Sequence, residues 1–291
     1  MKKNKPHISN TIFRKYINEG TRRMSIAHEA PICILDIVKE HTDYDYCLIH
    51  LIEESKEYKD YFYNNTAVRN NSYFNSINAR IRPIILDHSV FELGEAFEST
   101  KYEFYIRDLN PDIYIMPDVL GNKEATLDNA KEWNEKEFER YSMAVVQGQS
   151  MDELVECYQE FLELDIDAIA IGFNHNFMIN DESTRDWDQA NGRIRLIKYL
   201  KEKKIWDNTK YHHLLGCSLP LEFAHPVYHN SINSVDTSSP VLHGLLDIDY
   251  DEFGMLEKRK IKVNELMYST VYPEQIEKIV DNIKKFSYIC A

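Results

Sequence analysis

Three apolar runs in the sequence stop at an aspartate: RPIILD at Asp87, DIYIMPD at Asp118 and INSVD at Asp236. A lone aspartate at a strand end is ordinarily a turn former or a helix cap. Two further runs end in polar or glycine positions, SMAVVQG at Gln147 and Gly148 and AIAIG at Gly172. Together the five ends predict one shared acidic pocket. Two carboxylates in a dry site cannot both ionise easily, so one stays an anion while the other holds or relays a proton. That division suits displacement at an anomeric carbon, where an oxocarbenium-like centre needs a carboxylate on one face. On residue types alone, three chemistries stay open: a glycoside hydrolase, a glycosyl-transferring enzyme acting on a nucleoside, and a carboxylate-bound metal site.

The metal alternative has the poorest spacing. HPVYH sets His225 and His229 four residues apart with Cys217 upstream, but Pro226 works against a regular helix presenting both rings. No CxxC occurs, and no metal is assigned. His212 and His213 fall inside a predicted strand, so their rings point to opposite faces and do not share a ligand. His175, in NHNF just beyond Gly172, is a further candidate for the pocket wall.

Holding five strand ends together requires a particular frame. Short unalternating apolar runs recur at 31–38, 46–52, 82–87, 112–118, 142–148, 168–173, 211–217 and 232–237, as strands buried on both faces require. The first reads equally well as part of a helix. Between them, SMDELVECYQEFLEL opens with Ser150 and Glu153 at capping-box spacing. IRLIKYL carries a helical stripe, and YPEQIEKIVDNIKKF has Pro273 near its start. About eight strands alternating with helices predict an α/β fold, a single (β/α)8 barrel domain spanning 1–291. The polar stretch 53–80 is expected to be an insertion or long loop. In such barrels, side chains at the C-terminal strand ends line the active site.

Composition narrows the partners. The chain has 291 residues, 43% of them hydrophobic, so a large core can be buried. No run of about 18 apolar residues suggests a membrane span, and the basic start MKKNKPHISN lacks the apolar stretch of a secretory signal. Five scattered cysteines fit reduced thiols in a cytoplasm. The net charge of −14 excludes a wholly basic nucleic-acid-binding surface. Local basic segments at 192–204 and 257–262 read as a solvated helix face and a charged strand or loop, or else as a strip tracking a phosphate backbone.

Taken in order, the motifs resemble the tRNA-guanine transglycosylase family, and most closely its DpdA-like phage and bacterial branch that modifies DNA. DHSVFE (87–92) stands where the family carries Asp-Ser-Gly-Gly-aromatic-Gln, and PDVLG (117–121) where it keeps a base-recognising aspartate. VVQGQS (145–150), AIAIGF (168–173), HLLGCSLPLEF (213–223) and INSVDTSSP (232–240) match its later segments in order. The likeness spans about 85–240.

The resemblance implies that Asp236 is a nucleophile attacking C1′ of the target nucleoside and that Asp87 is a general acid/base. It implies that Asp118, Gln147, Gly148 and the backbone near Gly172 hold the polar edge of the base, with Phe91 stacking on its face. His88, Ser89 and Val90 replace Ser-Gly-Gly, which puts His88 in the substrate-binding loop. The family's Cys-rich zinc motif after the nucleophile is missing, since only His243 and Cys290 follow. That favours the DNA branch and implies a barrel without a zinc subdomain.

The implied partners are DNA, with tRNA as the alternative, and a 7-deazaguanine base such as preQ0. A partner protein or a second copy of the chain is compatible with this. Neither a redox cofactor nor ATP is implied. The expected location is the cytoplasm, the host's if the chain is phage-encoded. A base-binding barrel without catalysis is the non-enzyme alternative, and the retained Asp87 and Asp236 count against it.

Overall fold

The computed structural model describes residues 24–70, 82–172, 185–217, 219–252, 254, 259 and 261–290. Eight strands form one sheet: β1 Ser25–His28, β2 Asp45–Leu48, β3 Ile84–Asp87, β4 Ile113–Ile115, β5 Tyr141–Val146, β6 Ala168–Gly172, β7 Tyr211–Leu215 and β8 Ser234–Thr237. Every pair is parallel, in the order β1-β8-β7-β6-β5-β4-β3-β2. The sheet is a nearly closed TIM-like barrel ringed by helices, as the alternation of runs predicts.

The remaining seam, between β1 and β2, is bridged by side chains instead of a ladder. The Asp43 carboxylate accepts the Ile26 N–H at 2.9 Å, and Thr42 Oγ1 accepts that of His28 at 3.0 Å. The Asp43 N–H returns a bond to the Ile26 carbonyl. Thus the backbone groups of β1 that face the gap are satisfied.

Three expectations need correction. Residues 31–38 are not a strand: Ile32–Val38 is a helix that buries Ile34, Leu35 and Val38 along one stripe. The first strand is the four-residue SIAH segment at Ser25–His28, too short and too mixed to stand out as an apolar run. The run 46–52 is strand only to Leu48, after which Ile49–Glu54 turns into a helix. While 71–80 lies outside the described residues, the stretch 53–80 is not simply a loop either, because Lys56–Asn70 is a helix. Tyr58, Phe62 and Thr66 are its buried side, four residues apart, hidden in sequence among Lys, Asp and Asn.

The three helices read from periodicity are present, in Met151–Glu163, Arg185–Glu202 and Pro273–Ile289, whereas Ser99–Leu109, Lys123–Glu135 and Ser239–Leu245 are additional to those expected. Met151–Glu163 is capped by Ser150 Oγ, which accepts the Glu153 N–H. The return bond of that motif reaches the Gln149 N–H instead of Ser150. Helix Pro273–Ile289 packs on Ser239–Leu245 at Gly244, where a Cβ would come within 2.5 Å of Ile279. Only glycine allows that approach. No helix among the described residues is long and apolar enough to cross a membrane.

Candidate active site

The strand-end aspartates come from β3, β8 and the segment just after β4, all at the C-terminal mouth of the barrel. Asp87 is the last residue of β3 and is half-buried. Its Oδ2 accepts the Tyr46 hydroxyl proton at 2.5 Å, and its Oδ1 accepts the Ser89 N–H at 2.6 Å. The second bond requires the chain to double back, and Ser89 does so with φ of 60° in the left-handed region.

Asp236, on β8, is 4% exposed. Both of its oxygens accept the Gly216 N–H at 3.1 Å, and His213 Nε2 lies 2.9 Å from Oδ1. Gly216 sits just past β7 with φ of 65°, a conformation open to glycine. Its carbonyl, with that of Leu215, accepts from Arg193 Nη1. Arg193 is itself wholly buried in a two-pronged pair with Glu222, at 2.8 and 2.7 Å. The basic run 192–204 is therefore not all a solvated face: one of its cations is a strut beneath Asp236.

Tyr46 joins the two carboxylates. Burial, then the charges of Asp236 and Asp87, push its hydroxyl well above the usual range, so it stays a donor. Its ring stacks on that of His213 with centroids 6.1 Å apart. Glu92, half-buried above them, is pushed up to about 8 by burial and by the charges of Asp87, Glu29 and Asp236. At neutral pH it holds a proton. The mouth thus contains two aspartates and, near them, a glutamic acid that keeps its proton at neutral pH.

A second cluster is built on Asp118, which is buried. Its Oδ1 lies 2.7 Å from His88 Nε2, and its Oδ2 accepts from Gln147 Nε2 at 2.5 Å. Gln147 Oε1 accepts the Gly121 N–H, which fixes which end of the amide faces Asp118. Burial works against charge on His88. The hydrogen bond and charge of Asp118, with Asp87 behind them, outweigh burial and raise the imidazole above its ordinary value.

The glycines divide. A Cβ on Gly148 would meet Glu153 Cβ at 2.9 Å, so this position is needed for the close approach of helix Met151–Glu163. A Cβ on Gly172 would meet nothing within 4 Å. Phe91 stands at the rim, 60% exposed, with Leu93 also exposed near it. His175 lies outside the described residues.

Strand alternation places the two neighbouring histidines as expected. His212 faces outward against Tyr158 and Trp206, while His213 faces Asp236. His225 and His229 are exposed, and His225 Nδ1 accepts the Val227 N–H in a short turn. Among the described residues, no three His, Cys, Asp or Glu side chains are grouped to hold a metal ion. A cavity of about 240 Å³ lined by Met24, Phe223, Tyr228 and Cys290 shares no residue with either cluster.

Tyr46, His213, Glu92 and Glu29 escape reasoning from strand-end aspartates. Two-residue alternation along β7 puts one of His212 and His213 inside the barrel, but nothing local says which one meets Asp236 or that Tyr46 lies against it. Glu92 carries a local signal in DHSVFE, five residues after Asp87. Compared with known proteins, the chain matches no family model and no curated sequence.

Proposed function

We propose that this protein is a guanine transglycosylase, exchanging guanine in DNA for a 7-deazaguanine base through an aspartyl-glycosyl intermediate. One observation carries the proposal. Residues from four separate strands or strand ends meet at one barrel mouth as two groups, the carboxylates of Asp87 and Asp236 about Tyr46 and the hydrogen-bonded pair of Asp118 and Gln147. A glycoside hydrolase needs the first group; a base exchanger needs both.

In this scheme Asp236 attacks C1′ as the glycosidic C–N bond breaks. The departing guanine takes its proton from the Asp87 carboxyl. The incoming base returns a proton to Asp87, attacks C1′ and releases Asp236. Asp118 accepts from the N–H groups of the purine edge, since each of its oxygens retains a lone pair after bonding His88 and Gln147. Phe91 stacks on the flat face of a base drawn out of its helix.

Loop geometry adds support. Ser89 adopts the left-handed backbone at the position where the resembling Asp-Ser-Gly-Gly loop has glycine. The C-terminal stretch that would hold a zinc motif in the tRNA enzymes supplies only His243 and Cys290, which favours DNA over tRNA.

The test is incorporation of radiolabelled preQ0 into DNA and, in parallel, into unmodified tRNA. Label entering DNA alone supports the proposal. Label in tRNA alone transfers the same chemistry to the other polymer. Release of free sugar or base without exchange would mark a hydrolase and overturn it.

A further inference from the structure

Beneath Asp236 the barrel interior holds Ser234 and His213, both with 0% of their surface exposed. Ser234 Oγ lies 2.7 Å from His213 Nδ1, and His213 Nε2 lies 2.9 Å from Asp236 Oδ1. A serine, a histidine and an aspartate in one hydrogen-bonded row have the composition of a hydrolytic triad, in which the serine attacks. Here the row runs the other way. The serine is sealed in the core, and the aspartate stands at the C-terminal end of β8, nearest the mouth.

Two features restrict the ring. Tyr46 stacks on its face and Tyr44 meets it edge-on at 6.4 Å, so the imidazole cannot swing away. Burial pushes His213 down to about 3, with Asp87 opposing and the Arg193 charge adding to the fall, so the ring is neutral. A neutral imidazole has one N–H and one lone pair. If Ser234 donates to Nδ1, the hydrogen must sit on Nε2, which then donates to Asp236.

We infer that His213, held in its Nε2–H form by Ser234, is a positioning residue that aims the Asp236 carboxylate at the reacting carbon. This role rests on the proposed nucleophile. As the C1′–O bond to Asp236 forms, the glycosidic bond breaks and its electron pair leaves with the base. His213 keeps its proton throughout, while the Gly216 N–H supplies the second fixed donor.

The first test needs no reaction. In full-length protein labelled with 15N-histidine, the His213 signals, assigned by their loss in His213→Gln, should show a protonated Nε2 and a bare Nδ1. Ser234→Ala should shift them toward a mixture of tautomers. A protonated Nδ1, or an imidazolium, overturns the inference.

The second test follows base exchange. His213→Phe keeps a ring but no donor, and should lower kcat roughly 100-fold with KM for the nucleic acid within about twofold. His213→Gln, whose amide can donate, should recover most of that loss. Equal losses in both variants, or a loss confined to KM, would reduce His213 to packing. Should the wild type exchange no base at all, the proposed function fails, while the tautomer measurement still decides the arrangement around Asp236.

Discussion

Two buried aspartate–histidine pairs stand at the same barrel mouth, and their histidines are driven in opposite directions. His88, 2.7 Å from Asp118, is raised, whereas His213, 2.9 Å from Asp236, is lowered. Burial acts against charge in both. The surroundings decide the outcome. Around His88 the hydrogen bond to Asp118 and a second carboxylate, Asp87, outweigh desolvation. Around His213 the guanidinium of Arg193 lies near, and Ser234 is placed to donate to the other ring nitrogen. The Asp118 pair therefore favours the protonated imidazole more than a free histidine does. The other presents a neutral ring to the carboxylate that the proposed function makes the nucleophile.

The comparison is broken most severely at its carboxylates. Asp236→Asn keeps the shape of the side chain and should lower base exchange by about 1,000-fold or more. Asp118→Asn should instead weaken binding of the incoming base, with KM rising about 10- to 100-fold, as expected for one impaired polar contact. Steady-state kinetics on both variants separate the two roles.

Next comes the strut under the Asp236 pair. Arg193→Met leaves Glu222 buried without its ion partner and should cost about 3–5 kcal/mol in urea unfolding. No comparable loss is expected from replacing Lys198, whose partner Glu202 is on the surface.

Smaller effects appear in the pH dependence of stability. Glu92 is held protonated in the folded chain to about pH 8, whereas its ordinary value is 4.5. Wild type should therefore lose stability relative to Glu92→Gln as pH rises from 4.5 toward 8, which thermal melts across that window will read. His88 runs the other way round. Its raised value in the folded state stabilises the protein fully below about pH 6.5, and that advantage over His88→Gln should fade as pH climbs through the folded value. A constant gap between wild type and variant would remove His88 from the raised side of the comparison.

Much of the frame was legible because apolar runs ending in aspartate are rare enough to mark barrel strands. β3, β4 and β8 can be read this way and β5 through β7 as apolar runs without the aspartate, and Asp87, Asp118, Gln147 and Asp236 come together in two clusters at one mouth. What stayed hidden has physical causes. β1 is four residues containing a serine and a histidine, and its edge is satisfied by Thr42 and Asp43 from across the seam. Helix Lys56–Asn70 buries tyrosine, phenylalanine and threonine in place of an aliphatic stripe, so its periodicity is faint. Tyr46 and His213 meet only when β2 and β7 are brought together by barrel closure, and no local spacing reports that contact. Arg193 looks like one more surface cation until Glu222 is found beside it.

The most direct test of Asp236 as nucleophile is covalent capture on DNA. Wild type incubated with a duplex and then denatured should yield a slow-migrating protein–DNA species, reversed by adding a 7-deazaguanine base and absent in Asp236→Asn. A species that persists in Asp236→Asn, or whose attachment maps to another residue, would contradict the assignment.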